Sequence, residues 1–241
     1  MNQSSQQEFY NKLLSEKDHY GAKTLAHGWP GNFHRWRIKV LRKIFIDYLK
    51  CQKETQILDI GSGVSMFGEI FPQDSCPRIT AFDVSDVVVS EGRNLNPHIK
   101  FFVDDAQKPS LEGKWDIVFA GEVIEHLAEP EIALKNWAKL VKRKGYLVIT
   151  TPNRLFNRKN QEHISLLTVG RMKKGLQELN FEVVQMVGID VCNPLFDLIL
   201  NKISKKFPGF SDKIFQMKMK STYRSPWLAH DIIYVAKNIS D

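Results

Sequence analysis

The 241-residue sequence has few of the features that mark secreted, membrane-spanning or disulfide-rich proteins. Its three cysteines, Cys51, Cys76 and Cys192, stand far apart and form no C-x-x-C pair, which argues against a disulfide framework or a thiolate zinc site. No apolar run approaches the roughly 20 residues that a membrane-spanning helix needs. The polar start also lacks the basic and then apolar order of a secretory signal. We therefore expect reduced thiols and a cytoplasmic protein.

Internal repeats and low-complexity tracts are lacking too, and acidic residues are outnumbered by basic ones. The net charge of +7 favours anionic partners such as nucleic acid, phosphorylated sugars or a membrane surface. The composition, 43% hydrophobic and 25% charged, is that of an ordinary globular chain. A chain of this length can bury one sizeable core, so we expect one catalytic domain with additions.

What the chain does have is a series of apolar runs, several of which end in an acid. The runs at 56–59, 78–83 and 99–105 end in aspartate, and further runs lie at 115–120, 145–150, 181–189 and 231–236. Helical patterns separate several of them. Strands that alternate with helices predict an α/β fold with a doubly wound, mostly parallel sheet. The acids would then lie at the carboxyl edge of the sheet, where such folds bind ligands.

A glycine turn follows the first of these strands. Gly61-Ser62-Gly63 opens a strand–turn–helix plan that brings backbone N–H groups close to a ligand. The Gly-x-Gly-x-x-Gly spacing of dinucleotide sites fails because residue 66 is methionine. Asp59, two residues before the first glycine, can receive an ammonium group. Asp83 ends the next strand, where ribose hydroxyls are held in folds of this kind.

On these residues the chain resembles the class I S-adenosylmethionine-dependent methyltransferases, over about residues 56–153. The stretch Asp59-Ile60-Gly61-Ser62-Gly63 matches the first motif of that family, and Asp83 matches its ribose-binding acid. Asp105 with Ala106 matches the adenine-binding corner, for which Asp104 competes. Ser65 stands where the family usually has its third glycine.

The resemblance implies a Rossmann-like, three-layer α-β-α fold whose seven-stranded sheet has an antiparallel last strand. It also implies S-adenosylmethionine as the cofactor. The implied cofactor contacts are Asp59, Gly61, Ser62, Gly63, Asp83, Val84, Asp105, Ala106 and Glu122.

A second constellation, Glu122-x-x-Glu125-His126, follows the fourth strand. At helical spacing its three charged side chains would share one face. His163, in the loop after the fifth strand, would face the same cleft. Two carboxylates and two imidazoles can form an octahedral site, with Mg or Mn favoured by the oxygens. We therefore expect Glu122, Glu125, His126 and His163 as candidate metal ligands.

The same segment is similar to two subfamilies, the ubiquinone-pathway O-methyltransferases and the small-RNA ribose 2′-O-methyltransferases. In the second of these the matching four residues bind a metal. Without a metal, His126 or His163 is the candidate base, because imidazole titrates near neutral pH. In a third alternative, Glu122 touches the cofactor or solvent, Glu125 caps the start of a helix, and His126 packs. The predicted catalytic residues are His126, His163 and Glu125.

The sequence predicts a helical cap over residues 1–50 and a methyltransferase domain over residues 51–241. Apolar residues recur at helical spacing from Phe33 to Leu49. This helix either packs against the domain with a solvated basic side, or covers the ligand with Trp29, Arg35 or Trp36.

Residues 190–228 form a basic, amphipathic insert before the last strand. The insert is either a packed helical hairpin or an acceptor lid that suits an anionic or membrane-associated acceptor. The first functional hypothesis is O-methylation of a small molecule, a phenol, or a glycan- or lipid-linked hydroxyl. The second is ribose 2′-O-methylation of RNA, although no RNA-binding motif is present. The third is a regulatory subunit that binds the cofactor without catalysis, against which the intact acid and histidine set argues.

Overall fold

The structure is a computed structural model that describes residues 8, 11, 28–157, 162–191 and 226–240. Most of the predicted 190–228 insert and much of the predicted 1–50 cap therefore lie outside the described residues. Within the described part, no helix has the length and apolar character that a membrane crossing requires.

A single seven-stranded sheet organises the described residues, in the order β3-β2-β1-β4-β5-β7-β6. β1 to β5 pair in parallel, and β7 runs antiparallel to both β5 and β6. The predicted topology, with an antiparallel last strand, is confirmed. The strands are β1 (Gln56–Ile60), β2 (Arg78–Asp83), β3 (Lys100–Val103), β4 (Trp115–Gly121), β5 (Val141–Pro152), β6 (Phe181–Val191) and β7 (Ala229–Asn238).

Helices connect the strands on both sides of the sheet. Two of them start at a hydroxyl cap, because Ser85 accepts a hydrogen bond from Val88 N and Thr168 accepts one from Arg171 N. Pro130 opens another, at a position where its missing N–H costs no helical hydrogen bond. The α-helices are α1 (Gly28–Arg42), α2 (Phe67–Ile70), α3 (Asp86–Leu95), α4 (Pro130–Leu140) and α5 (Val169–Glu178), and α1 continues as a π-helical segment, Lys43–Tyr48.

Alternate residues of the strands point into two separate cores. Ile57 of β1 belongs to a core with Leu41 of α1 and Phe45 of the π-helical segment. Its neighbour Leu58 belongs to a second core that contains Trp137 of α4. Each of these side chains is fully buried. The period of two in a strand therefore gives the sheet two apolar faces, and the helices that cover them produce the predicted three layers.

The predicted helix from Phe33 to Leu49 forms as α1 and its π-helical continuation. Its buried residues share a core with the sheet, whereas Arg35 is exposed. Trp36 packs against the same core. The described part of this helix thus packs on the sheet and has a basic outer side. The side chain of Trp29 lies outside the described residues, and a cap over the ligand and the division of the chain at residue 50 stay predictions.

Candidate active site

The turn after β1 depends on glycine. Gly61 has φ +58, and a Cβ there would lie 2.7 Å from Cγ2 of Val123. Gly63 also has a positive φ, of 55. Ser62 N donates to Phe82 O at 2.9 Å, and Gly63 N donates to Asp83 Oδ2 at 3.0 Å. These two hydrogen bonds fix the turn against the end of β2, so the predicted motif residues Gly61, Ser62, Gly63 and Asp83 meet at one edge.

Asp59 places a carboxylate beneath this turn. Its side chain is 2% exposed and accepts a hydrogen bond from Ser65 Oγ at 2.7 Å. Burial raises its pKa to about 7, the hydrogen bond from Ser65 opposes that rise, and the charge of Asp83 adds to it. A buried carboxylate of this kind is poorly solvated without a cation, which suits the predicted ammonium partner.

Asp83 links β2 to the start of α3. Besides the bond from Gly63, its carboxylate accepts one from Ser85 N at 3.0 Å. Burial raises its pKa, and the backbone donors oppose the rise. Val84, half-buried, separates it from Ser85, the helix cap. The predicted ribose-binding residues therefore lie on a corner that several hydrogen bonds hold in place.

Asp104 and Asp105, the two candidates for the adenine role, differ in their hydrogen bonds. Asp104 Oδ2 accepts hydrogen bonds from Ser110 N at 2.9 Å and from Leu111 N at 3.3 Å, so its carboxylate closes a loop. Asp105 accepts one from Gln107 N at 2.8 Å. This difference favours Asp105 for the adenine role, which stays a prediction.

Ala106 is placed next to the same corner by a buried tryptophan. The indole Nε1 of Trp137 donates to Ala106 O at 2.7 Å. Because Trp137 is fully buried in the core beneath α4, the position of the Ala106 backbone is set by the packing of that helix.

Glu122 lies after β4 in a way that the helical spacing did not predict. It stands outside the short 3₁₀ turn Ile124–His126 and has a left-handed φ of 57. Its backbone N donates to Thr150 O at 2.9 Å, and its Oε1 accepts from Thr150 Oγ1 at 2.7 Å. The shared helical face expected for Glu122, Glu125 and His126 is therefore wrong, because the end of β5 holds Glu122 in a turn.

Glu125 is the most deeply buried acid of the segment, with no exposed surface. Its Oε2 accepts from Thr151 Oγ1 at 3.2 Å, whereas Oε1 has no hydrogen-bond partner in the part of the chain that the structure describes. Burial raises its pKa well above the ordinary value, and the charge of Glu122 adds to the rise. An orphaned buried carboxylate oxygen is costly, and it suits a cation or a proton donor as a partner.

Two imidazoles lie beside that carboxylate. His126 Nδ1 is 2.7 Å from Glu162 O, and since a carbonyl only accepts, Nδ1 carries the proton in the neutral ring. The lone pair is then on Nε2, which lies 3.9 Å from Glu125 Oε1. The ring of His163 stands 5.2 Å from that of His126. Glu125, His126 and His163 can each offer a ligand atom within 4.8 Å of the others.

Arg37 is a site residue that the sequence analysis did not single out. From α1, its side chain donates to Asp231 Oδ2 at 2.9 Å and lies 3.4 Å from Glu122 Oε2. Its guanidinium stands 4.9 Å from the centre of the Phe33 ring. Burial opposes its charge, but the charges of Glu122 and Asp231 outweigh that effect and raise its pKa. The available signal was a basic residue within an apolar helical stripe, four residues after Phe33.

The predicted residues thus form two adjoining groups at the carboxyl edge of the sheet. The cofactor set follows β1, β2 and β3, and the acid and histidine set follows β4 and β5. β1 pairs directly with β4, so the two groups are neighbours. Asp231 joins the second group because it pairs with Pro152, the last residue of β5, near the start of the antiparallel β7.

Comparison with known proteins bears on this arrangement. A family model described as a methyltransferase domain matches residues 33–186, more than half of the chain. The chain belongs to this methyltransferase family. It is also similar to magnesium protoporphyrin IX methyltransferase from Synechocystis PCC 6803, whose crystal structure contains bound S-adenosylmethionine. That match has a TM-score of 0.67 at 13% identity and covers 98% of this chain and 97% of the other, which shows the shared fold.

Two curated relatives match over shorter lengths. The ubiquinone biosynthesis O-methyltransferase of Xanthomonas oryzae pv. oryzae is 25% identical over 164 residues, which are 64% of this chain and 67% of that protein. The 2-methyl-6-phytyl-1,4-hydroquinone methyltransferase of Synechocystis is 30% identical over 103 residues, 41% of this chain and 32% of that protein. The family model thus shows a methyltransferase, and the cofactor and the roles of individual residues stay predictions.

Proposed function

We propose that this methyltransferase transfers the methyl group of S-adenosylmethionine to a hydroxyl oxygen of a small acceptor, a phenol, or a glycan- or lipid-linked hydroxyl. The observation that carries the proposal is the buried Glu125 carboxylate beside the imidazoles of His126 and His163. A hydroxyl acceptor must lose a proton during methylation, and these groups can accept or stabilise that change. The name of the Xanthomonas relative, an O-methyltransferase of ubiquinone biosynthesis, supports the same type of bond.

The protein would accelerate methyl transfer mainly by aligning the acceptor with the cofactor. The sulfonium methyl group is already electrophilic, so the enzyme has to place acceptor oxygen, methyl and sulfur in line. Such positioning can supply about 7–11 kcal/mol of the barrier reduction. The cofactor would lie over the ends of β1 to β3, and the acceptor over the ends of β4, β5 and β7, where Arg37 fixes Glu122 and Asp231.

We further propose that Glu125, His126 and His163 hold a divalent cation. The orphaned Oε1 of Glu125 fits such an ion, and a backbone carbonyl that orients a histidine through Nδ1 is typical of metal-binding imidazoles. Glu122 from the predicted set is engaged by Thr150 and Arg37 instead. With two imidazoles to one carboxylate, this set suits Mn better than Mg. When bound, the ion would lower the pKa of an acceptor hydroxyl.

The test is formation of S-adenosylhomocysteine with a panel of catechols, hydroquinones and prenylated phenols, with and without a chelator. We expect turnover with at least one hydroxyl acceptor, loss of turnover in the chelator, and recovery with Mn. Glu125→Gln should lower turnover strongly, while Glu112→Gln, at an exposed position after β3, should not. Turnover that survives chelation contradicts the metal, and turnover only with amine acceptors contradicts O-methylation.

RNA ribose methylation is the second candidate, and the observation in its favour is the net charge of +7. Short RNAs in the same assay, together with a salt titration of RNA binding, separate the two. A steep fall of affinity with salt and product on RNA would favour this candidate. Cofactor binding without product from any acceptor would instead favour the non-catalytic alternative.

A lipid-linked acceptor is supported by apolar side chains at the same edge of the sheet. Leu155, Trp227 and Leu228 are 70%, 51% and 54% exposed, and Asn153 Nδ2 donates to Trp227 O at 3.1 Å, which brings their loops together. The basic residues of the 190–228 insert, to which Trp227 and Leu228 belong, would add attraction to anionic headgroups. We expect flotation with anionic vesicles to fall in Leu155→Ser, but not in the control Leu95→Ser on α3, a residue 60% exposed. Equal flotation of both variants would contradict membrane contact at this edge.

A further inference from the structure

The turn after Gly63 contains a serine in a conformation that favours glycine. Ser65 has φ 62 and is only 4% exposed. A residue with a Cβ is strained in the left-handed region, whereas glycine adopts it freely. A buried serine at such a position therefore needs a compensating interaction, and its hydroxyl is the group that can provide it.

The hydroxyl of Ser65 has a fixed direction. Phe67 N donates to Ser65 Oγ at 3.4 Å, so the oxygen is an acceptor on that side. Its own proton is then directed to Asp59 Oδ2, 2.7 Å away. Among the residues that the structure describes, this is the one hydrogen bond that the Asp59 side chain accepts, so Oδ1 is left for a ligand.

We propose that Ser65 is a positioning residue for cofactor binding, whose hydroxyl orients the Asp59 carboxylate toward the ammonium group of S-adenosylmethionine. The proposal concerns cofactor binding, so it does not depend on the identity of the acceptor. The serine at this position would thus cost backbone strain that glycine avoids, and its hydroxyl would orient Asp59, the acid that binds the cofactor.

The proposal has a consequence for the pH dependence of binding. The pKa of Asp59 is raised to about 7, mainly by burial. The hydrogen bond from Ser65 lowers this pKa, and the charge of Asp83, the other charged group acting on Asp59 in the described part, raises it. The cofactor's ammonium group pairs with the ionised form. Without the hydroxyl, Asp59 would ionise at higher pH, and cofactor binding would require more alkaline conditions.

Two variants separate positioning from backbone shape. Ser65→Gly removes both the hydroxyl and the strain, whereas Ser65→Ala removes the hydroxyl and keeps the strained Cβ. Binding of S-adenosylhomocysteine, which carries the same amino group, is measured by calorimetry from pH 5.5 to 9. Ser75→Ala, at an exposed position in the turn Gln73–Ser75, is the matched control.

We expect the affinity of the wild-type protein to fall about tenfold per pH unit below the Asp59 pKa. In both Ser65 variants the pH at which the fall begins should rise by about one unit, with roughly fivefold weaker binding at pH 7. The unfolding stabilities of the two variants should differ, the glycine variant being the more stable. A Ser65→Gly protein with the wild-type pH profile would overturn the proposal, as would a loss of affinity equal at every pH.

Discussion

Replacing Asp59 by asparagine is expected to raise the stability of the ligand-free protein relative to the wild type as the pH rises, while it removes tight cofactor binding. The substitution keeps the shape of the side chain and an oxygen for Ser65 Oγ, which donates at 2.7 Å. It removes the charge of an acid that is 2% exposed. The ionised Asp59 carboxylate, which would bind the ligand, thus lowers the stability of the ligand-free fold. The variant measures by how much.

The magnitude follows from the pKa. Burial raises the pKa of Asp59 from 3.8 to about 7. The unfolded chain therefore loses this proton first as the pH rises, and the folded state loses stability between pH 4 and 7. Three pKa units correspond to about 4 kcal/mol, an upper value that local relaxation reduces to ~2–4 kcal/mol. The buried amide of asparagine adds a constant cost of about 1–3 kcal/mol at every pH.

The assay is urea unfolding of both proteins without ligand at pH 4.5, 6, 7 and 8.5. The stability of the variant minus that of the wild type should rise by about 1.5–3 kcal/mol across this range, most of it below pH 7.5. Asp74→Asn, an exposed acid in the turn Gln73–Ser75, should show no such trend. A difference that does not change with pH would refute the reasoning, because the burial of Asp59 would then not oppose its ionisation.

Four further substitutions test other parts of the site. Gly61→Ala should cost about 2–4 kcal/mol in urea unfolding from steric overlap and strain, whereas Gly170→Ala, with no atom within 4 Å of its Cβ, should not destabilise the protein. Arg37→Met removes the cation that pairs with Glu122 and Asp231 and should cost about 3–5 kcal/mol, with a smaller cost in Arg37→Lys. His126→Ala and His163→Ala should each lower turnover by about a hundredfold or more and leave cofactor affinity nearly unchanged; unchanged turnover in both contradicts the acid–base and metal hypotheses.

The strands were predictable where apolar runs are uninterrupted. β2 has the predicted bounds, Arg78–Asp83. β5 was predicted at 145–150 but begins at Val141, which pairs with Trp115 of β4 across an irregularity in the register. Lys142 Nζ lies 2.9 Å from Asp116 Oδ1 in the same region. A basic stretch gives no strand signal in the sequence. Its pairing with a residue of the neighbouring strand is what makes it part of the sheet.

The site was predictable where a residue ends its own strand. Asp59 and Asp83 each lie at the carboxyl end of an apolar run. That the two acids are close to each other could therefore be predicted from the strand order alone. Arg37 could not be found in this way, since its partner Asp231 is 194 residues away in sequence. A buried ion pair between the first described helix and the last strand is a property of the closed fold.

Glu122 shows why spacing alone misplaced a candidate ligand. Glu122 lies three residues before Glu125, a spacing that suits a helix. Its conformation is instead set by hydrogen bonds with Thr150 of β5. Of the five non-glycine residues with positive φ in the described part, Ser65 and Glu122 lie in the site, whereas Lys50, Lys144 and Asn180 are exposed. Each of the two site residues shares a hydroxyl–carboxylate hydrogen bond, Ser65 as the donor and Glu122 as the acceptor.

The ends of β1 and β4 therefore share one physical plan. Each has a strained residue fixed by a hydroxyl–carboxylate hydrogen bond, and each carries a buried acid, Asp59 or Glu125, whose pKa burial raises. Both acids destabilise the empty fold when ionised, and both are stabilised by a cation. If the ammonium group of the cofactor pairs with Asp59 and a metal binds Glu125, each ligand should raise the unfolding temperature by itself. Asp59→Asn should then remove most of the rise that the cofactor gives and leave the rise that Mn gives intact.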